Sequence, residues 1–73
     1  MDKSIYSNDY NYLIKQLKNA RVEACLNQKE VANLLGKTQS YISKIEAGQL
    51  RLDIIQLKEL AKLYKKDMGY FLK

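Results

Sequence analysis

Two short helix patterns follow each other directly in the segment NQKEVANLLGKTQSYISKIEAG, at residues 27–48. The first pattern opens on Asn27, with a glutamate three residues later that completes a capping box. It ends at Gly36, a residue that tolerates the positive φ of a helix terminus. The second pattern begins at Thr38, a favoured N-cap residue, and closes at Gly48. Because a single residue separates the end of one pattern from the start of the next, the sequence predicts two helices joined by a tight turn.

The second helix pattern has two chemically different faces. At about 100° per residue, Ile42 and Ile45 lie on one face and are expected to point inward. The opposite face carries polar and small residues, namely Gln39, Ser40, Ser43, Lys44 and Ala47, with Tyr41 on the flank. Amide, hydroxyl and ammonium groups can contact base edges and phosphates, and small residues let a helix approach a groove closely. An ordinary solvated face fits these residues equally well, so both interpretations stay open at this point.

Length and composition limit the class of protein. A chain of 73 residues has room for one core, and its 47% hydrophobic content without Pro favours a compact all-α fold. One Cys and no His cannot build a disulfide framework or a zinc site, so no metal and no other cofactor is expected. The net charge of +5 favours a polyanionic partner, either nucleic acid or an anionic membrane surface. Without a membrane span or a signal peptide, we expect a cytoplasmic protein of a bacterium, phage or similar replicon.

A longer helix pattern precedes the helix pair. Residues 1–7 are expected to form a flexible N-terminal arm, and residues 8–73 a single folded domain. The first helix should be capped by Ser7 or Asn8 and run to about Ala24, along an apolar stripe with i, i+3, i+4 spacing. The stripe comprises Tyr10, Leu13, Ile14, Leu17, Ala20 and Ala24.

The helix pair resembles the lambda-repressor-like helix-turn-helix family, also called the Cro/repressor or xenobiotic-response-element family. The residues that carry the resemblance are Gln28 opening the first helix, Ala32 at the helix crossing, Gly36 in the turn, and the core anchors Ile42 and Ile45. Residues 26–28 and 38–46 are also close to the family consensus, and the resemblance covers about residues 9–72. It implies an all-α, five-helix lambda-repressor-like DNA-binding domain with the helix-turn-helix at helices 2 and 3.

The resemblance also implies roles for residues near the second helix of the pair, the recognition helix. In the family, a glutamine at the position of Gln28 binds a phosphate and supports the first glutamine of the recognition helix, here Gln39. A glutamine can pair in bidentate fashion with adenine N6 and N7. The candidate base contacts are Gln39, Ser40, Tyr41 and Lys44. The candidate phosphate contacts are Asn27, Gln28, Lys29, Lys37, Ser43 and Arg51.

Two expectations concern the first helix of the chain. Family members commonly pair an arginine at the position of Arg21 with the glutamate that matches Glu46, which implies a structural ion pair; a phosphate contact by Arg21 is the alternative. Many relatives have Gly where this chain has Cys25, and Cys would suit a positive φ poorly. A lone Cys is more often a small buried hydrophobe than a redox switch.

The rest of the chain predicts two further helices. Asp53 and Gln56 form another box-like helix start. The buried side of this fourth helix is expected to comprise Ile54, Leu57, Leu60, Ala61 and Tyr64. A short fifth helix should follow from Asp67 to Leu72, and in many relatives this helix closes the core and contributes to a two-fold dimer. The candidate dimer contacts are Met68, Tyr70, Phe71 and Leu72, and closure of the core is their alternative role.

The leading functional interpretation is a transcriptional regulator that binds double-stranded DNA. It would act as a homodimer on a palindromic operator, through a recognition helix at about residues 39–47. The alternative is an antitoxin-type module that binds a toxin or other protein partner and regulates its own gene. An enzyme is not expected, because the chain has no His, no recognisable acid pair and no glycine-rich phosphate loop. Membrane binding through the Lys-rich fourth helix ranks lowest.

Overall fold

The computed structural model describes residues 8–72 and folds them into five α-helices. In chain order these are α1 (Asn8–Glu23), α2 (Gln28–Leu35), α3 (Gln39–Glu46), α4 (Ile54–Leu63) and α5 (Met68–Phe71). The predicted all-α fold with a helix-turn-helix at α2 and α3 is confirmed. The expected flexible arm at residues 1–7 and the proposed Ser7 cap lie outside the described residues.

Side-chain caps start three of these helices at the positions that the sequence predicts. At α2, the Asn27 N–H donates to Glu30 Oε1 and the Glu30 N–H donates to Asn27 Oδ1, both at 2.8 Å. At α4, Asp53 and Gln56 form the same reciprocal pair, at 3.1 and 2.8 Å. Thr38 Oγ1 caps α3 by accepting the backbone N–H three residues later, at 3.1 Å. Each cap satisfies a donor that the helix itself cannot pair, and is worth about 1 kcal/mol.

Helices α1 to α4 all end on a residue in the left-handed conformation. These residues are Cys25 (φ 61°), Gly36 (69°), Gly48 (76°) and Lys65 (58°). In each case the next backbone N–H bonds the carbonyl five residues earlier, at 2.8 to 3.2 Å, which is the Schellman arrangement. The positive φ expected near the end of the first helix is therefore present, although a Cys occupies the position. An L-residue adopts this conformation at a cost of roughly 1–2 kcal/mol.

The core is built from the apolar faces of all five helices. Helix α1 packs against α3 and α5, α2 packs against α3, and α4 packs against α5. The largest fully buried side chains are Leu17, Val31, Ile42, Ile45 and Phe71. The apolar stripe predicted for α1 lies buried or half-buried in this core. Helices 2 and 3 therefore rest on a single hydrophobic body, which holds the outer face of α3 in place.

Burial decides between the two roles predicted for Phe71 and shows that two other expectations are wrong. Phe71 is 0% exposed, so it closes the core and is not available as a dimer contact. Ile54 is 58% exposed, because it is the first residue of α4 and the buried side of that helix begins one turn later, at Leu57. Cys25 is exposed rather than buried, since it occupies the chain reversal beyond the end of α1 and not the apolar stripe of that helix.

Candidate nucleic-acid interface

The outer face of α3 is open to solvent along its whole length. Its residues Gln39, Ser40, Ser43, Lys44 and Ala47 are all exposed. On the opposite face, Ile42 and Ile45 are almost completely buried. We call the five exposed residues the outer row of α3. An eight-residue helix is about 12 Å long, so the outer row can fit within one major groove of B-form DNA.

The C-terminal end of α3 is held by an ion pair with α1. Arg21 Nε and Nη2 donate to the two carboxylate oxygens of Glu46, at 2.7 and 3.1 Å, and Arg21 Nη1 donates to the Leu26 carbonyl at 2.9 Å. The Arg21 and Glu46 side chains are only 11% and 6% exposed. The hydrogen bond to Glu46 raises the pKa of the Arg21 guanidinium above its usual value, although burial opposes this effect. So little of Arg21 is exposed that its geometry favours a structural role over a phosphate contact.

Gln28 joins the same carboxylate from α2. Its Nε2 donates to Glu46 Oε1 at 3.1 Å, so both α1 and α2 bind this carboxylate. Support of Gln39 by Gln28 remains a prediction. Asn27 and Lys29, on either side of Gln28, are exposed. The side-chain oxygen of Asn27 caps α2, and its amide NH₂ takes no part in that cap.

The N-terminal end of α3 is attached to α4 through Tyr41. The phenol oxygen of Tyr41 accepts a hydrogen bond from Gln56 Nε2, and the Tyr41 ring is half-buried against the core. Burial raises the pKa of the Tyr41 hydroxyl. The Lys37 ammonium lies 5.3 Å from the ring centroid, which places this exposed cation beside the outer row. The structure thus gives Tyr41, a candidate base contact, a supporting position between two helices, and its contact with bases remains a prediction.

The loop after α3 is attached to α1 at its other end. The Tyr10 hydroxyl donates to the Leu50 carbonyl at 3.3 Å, and the Arg51 guanidinium stacks 4.7 Å from the centroid of the Tyr10 ring. Arg51 is exposed. Stacking on an aromatic ring orders a long side chain. A candidate phosphate contact is thus held in position by α1.

Sequence reasoning missed two of these supporting contacts. Gln56 was recognised only as a capping residue, and Gln28 as a phosphate contact and a support of Gln39 but not as a partner of Glu46. The sequence indicates the local capping bond of Gln56 and the place of Gln28 at the start of α2. The bonds from Gln28 Nε2 to Glu46 and from Gln56 Nε2 to Tyr41 depend on how separate helices pack, and nothing in the local sequence indicates them.

Two other kinds of site are absent from the described residues. Within residues 8–72, no group of three His, Cys, Asp or Glu side chains could hold a metal ion. The helices in this part of the chain are also too short or too polar to cross a membrane.

Comparison with known proteins identifies the family. A helix-turn-helix family model matches residues 17–71, from the middle of α1 through α5. No curated protein and no solved structure matches the chain significantly. The family match covers well over half of the chain and includes both helices of the pair, and the family consists of DNA-binding domains rather than enzymes. The chain therefore belongs to the lambda-repressor-like, Cro/repressor-type helix-turn-helix family of DNA-binding transcriptional regulators.

Proposed function

We propose that the protein is a sequence-specific transcriptional regulator that binds a palindromic operator in the cytoplasm as a homodimer. The observation that supports this most directly is the outer row of α3, which presents amide, hydroxyl and ammonium groups on a helix anchored at both ends. Such a helix can enter the major groove, where each base pair displays a distinct pattern of donors and acceptors.

Within the outer row, Gln39 and Ser40 occupy the first turn and Lys44 the second. Gln39 would pair with adenine through N6 and N7, whereas Lys44 would contact either guanine O6 and N7 or a phosphate. Ser40 would contact a neighbouring base edge. Tyr41 stands beside this row with its phenol oxygen bonded to Gln56, so any contact with DNA would come from the edge of its ring.

Phosphate contacts would come from residues near the outer row and from Ser43 within it. At the N-terminus of α2, with Asn27, Gln28 and Lys29, the helix dipole and unpaired N–H groups favour an anion. Lys37 precedes α3 in the chain and Arg51 follows it. The net charge of +5 supports the same assignment. These contacts would fix the register on DNA and make the affinity fall steeply with salt.

A homodimer would place two α3 helices in successive major grooves, about 34 Å apart. With Phe71 inside the core, the remaining candidate contacts at the C-terminal end are Met68, Tyr70 and Leu72. Leu72 is 53% exposed, whereas the other two are half-buried. Of the three, Leu72 is thus the side chain with the most apolar surface available to a second copy.

A protein-binding module of the antitoxin type is the second candidate function. The observation that favours it is a groove between α4 and α5, lined by the exposed Ile55 and by Met68, Lys58 and Glu59. A toxin could cover this apolar surface while α3 remained available for autoregulation. A monomer that forms a tight complex with the product of a neighbouring gene would support this function over the homodimer.

The test of the leading proposal is selection of bound duplexes from a random pool, with the mass of the complex measured. A palindromic motif bound by two subunits is the expected result. Replacing Gln39 by Ala should cost about 1–3 kcal/mol on the selected site and relax the preference at one base pair. If Lys44 contacts a base, Lys44→Ala should relax the preference at a second base pair. If Lys44 contacts a phosphate, the substitution should lower the affinity for all sequences equally. Lys58→Ala, on α4, is the control for charge.

Two results would contradict the proposal. If no duplex is enriched from the pool, the protein does not bind DNA with sequence specificity. An unchanged base preference in Gln39→Ala would show that Gln39 does not contact a base, and the outer row would then lack the main specific contact proposed for it.

A further inference from the structure

One hydrogen bond connects the first turn of α4 to the first turn of α3, and two others fix the side chain that donates it. The Asp53 N–H donates to Gln56 Oε1 at 3.1 Å, and the Gln56 N–H donates to Asp53 Oδ1 at 2.8 Å. The other end of the same Gln56 amide, Nε2, donates to the phenol oxygen of Tyr41. Because the capping box fixes the Gln56 side chain, its NH₂ group is presented to Tyr41 in one orientation.

We propose that Tyr41 and Gln56 are positioning residues that determine base specificity without contacting bases themselves. They hold the first turn of α3 at the angle at which Gln39 meets its base pair. This inference rests on the proposed function, since it requires that the outer row of α3 contacts an operator.

The two ends of α3 are held in different ways. At the C-terminal end, the carboxylate of Glu46 binds both Arg21 and Gln28, and α3 packs against α1 and α2. At the N-terminal end, the contact with α4 depends on Tyr41 and Gln56. Loss of that hydrogen bond would therefore let α3 tilt about its better-held C-terminal end.

The geometry of a helix gives the size of this effect. Gln39 lies seven residues from Glu46, a distance of about 10 Å along the helix axis at 1.5 Å per residue. A tilt of about 5° would thus displace Gln39 by about 1 Å, beyond the roughly 0.5 Å that a recognition geometry tolerates. Lys44, two residues from Glu46, would move by only about 0.3 Å. The expected loss of discrimination is accordingly graded along the helix, and it is greatest at its N-terminal end.

Phosphate contacts should be much less sensitive than base contacts to a tilt of α3. Long lysine side chains reach phosphate oxygens from many rotamers and act as point charges. A small tilt of α3 should therefore leave the affinity for non-specific DNA and its salt dependence unchanged.

The experiment measures affinity for the selected operator and for two altered operators at one salt concentration. Each altered operator carries a single substitution, at the base pair assigned to Gln39 or to Lys44 by the alanine variants. Tyr41→Phe should reduce discrimination at the Gln39 base pair by about three- to tenfold, the range for one neutral hydrogen bond. Gln56→Met removes the bond from the Asp53 N–H as well as the bond to Tyr41, so it should reduce this discrimination at least as much. Discrimination at the Lys44 base pair should fall by less than twofold.

A conservative variant separates positioning from general stability. Gln56→Glu preserves the capping box and can accept a hydrogen bond from the Tyr41 hydroxyl, so discrimination should be retained. Combined with Tyr41→Phe, the same substitution has no hydroxyl to bind, and discrimination should fall as in Tyr41→Phe alone.

A matched control comes from a hydrogen bond between α1 and α5. Gln16 Nε2 donates to the Tyr70 carbonyl at 3.2 Å. Gln16→Met removes this bond, which does not involve α3, and should leave discrimination at both base pairs intact.

Unchanged discrimination in Tyr41→Phe and Gln56→Met would overturn the inference. So would an equal loss at both base pairs and on non-specific DNA, because that result indicates general destabilisation. If the wild-type protein selects no duplex, the proposed function fails and this inference fails with it. If the wild type selects an operator that the variants still discriminate, only the positioning role is lost.

Discussion

The buried Arg21–Glu46 ion pair should be strongly coupled in a double-mutant cycle. The perturbations are Arg21→Met and Glu46→Gln, made singly and together. In the wild type, Arg21 makes three hydrogen bonds, two of them to Glu46, and the two side chains are 11% and 6% exposed. Removing Arg21 leaves a buried carboxylate with the Gln28 amide as its remaining side-chain partner.

The magnitude follows from this burial. Arg21→Met should destabilise the domain by about 3–5 kcal/mol, the typical cost of leaving one charge of a buried pair unpaired. Glu46→Gln keeps the shape and one acceptor oxygen, so its cost should be nearer 1.5–3 kcal/mol, roughly that of a charged hydrogen bond. Once Arg21 is gone, Glu46→Gln removes an unfavourable buried charge and should cost little. A coupling free energy of about 2 kcal/mol is therefore expected.

A second ion pair provides the control. Lys66 Nζ lies 2.7 Å from Glu23 Oε1, the same distance as the shortest Arg21–Glu46 contact, but the two side chains are 26% and 57% exposed. The cycle of Lys66→Met and Glu23→Gln should show no coupling that urea unfolding can resolve, since solvent screens an exposed pair. The measurement is urea unfolding followed by circular dichroism, at one temperature and salt concentration. Additive effects at Arg21 and Glu46, or equal coupling in both pairs, would refute the argument that burial determines the strength of the pair.

Two further predictions concern stability. Cys25→Gly and Lys65→Gly should each raise the free energy of unfolding by up to about 1 kcal/mol, because Gly relieves the left-handed strain at a smaller entropic cost. Gly36→Ala should lower the free energy of unfolding, and thermal melts measure all three variants. Burial raises the pKa of Tyr64 from 10.0 to about 12, so the folded state retains a proton that the unfolded state loses. The free energy of unfolding should therefore fall by about 2–3 kcal/mol between pH 10 and pH 12 in urea titrations. Tyr64→Phe should remove most of this fall and leave the contribution of groups such as Tyr41, whose pKa burial also raises. An equal fall in the variant would contradict the assignment.

The helix starts could be predicted from the sequence because capping is local. Asn27, Thr38 and Asp53 each meet a backbone N–H three residues away, and that contact needs no information from the rest of the fold. Burial at element ends could not be predicted in this way. Ile54 continues the apolar period of α4 but lies at the edge of the core, and Phe71 belongs to a short apolar stretch for which a core role and a dimer role were equally compatible with the pattern.

The candidate site likewise has features that the sequence predicts and features that it does not. Helical periodicity alone indicated which side of α3 faces outward, because Ile42 and Ile45 must be buried. The partner of Arg21 came from the family resemblance, and no spacing rule joins residues 21 and 46. The Gln28–Glu46 and Tyr41–Gln56 bonds were not predicted, since each depends on the distance between two packed helices rather than on either helix.

The way in which α3 is held separates recognition from stability. Eight residues are too few for a helix that is stable alone in water, so α3 depends on its surroundings. Ile42 and Ile45 fix its rotation about its own axis, while Glu46 and Tyr41 fix the direction of that axis. None of these four residues belongs to the exposed outer row. Substitutions in the outer row should therefore change base preference at little cost in stability, which would let related proteins recognise different operators on the same scaffold.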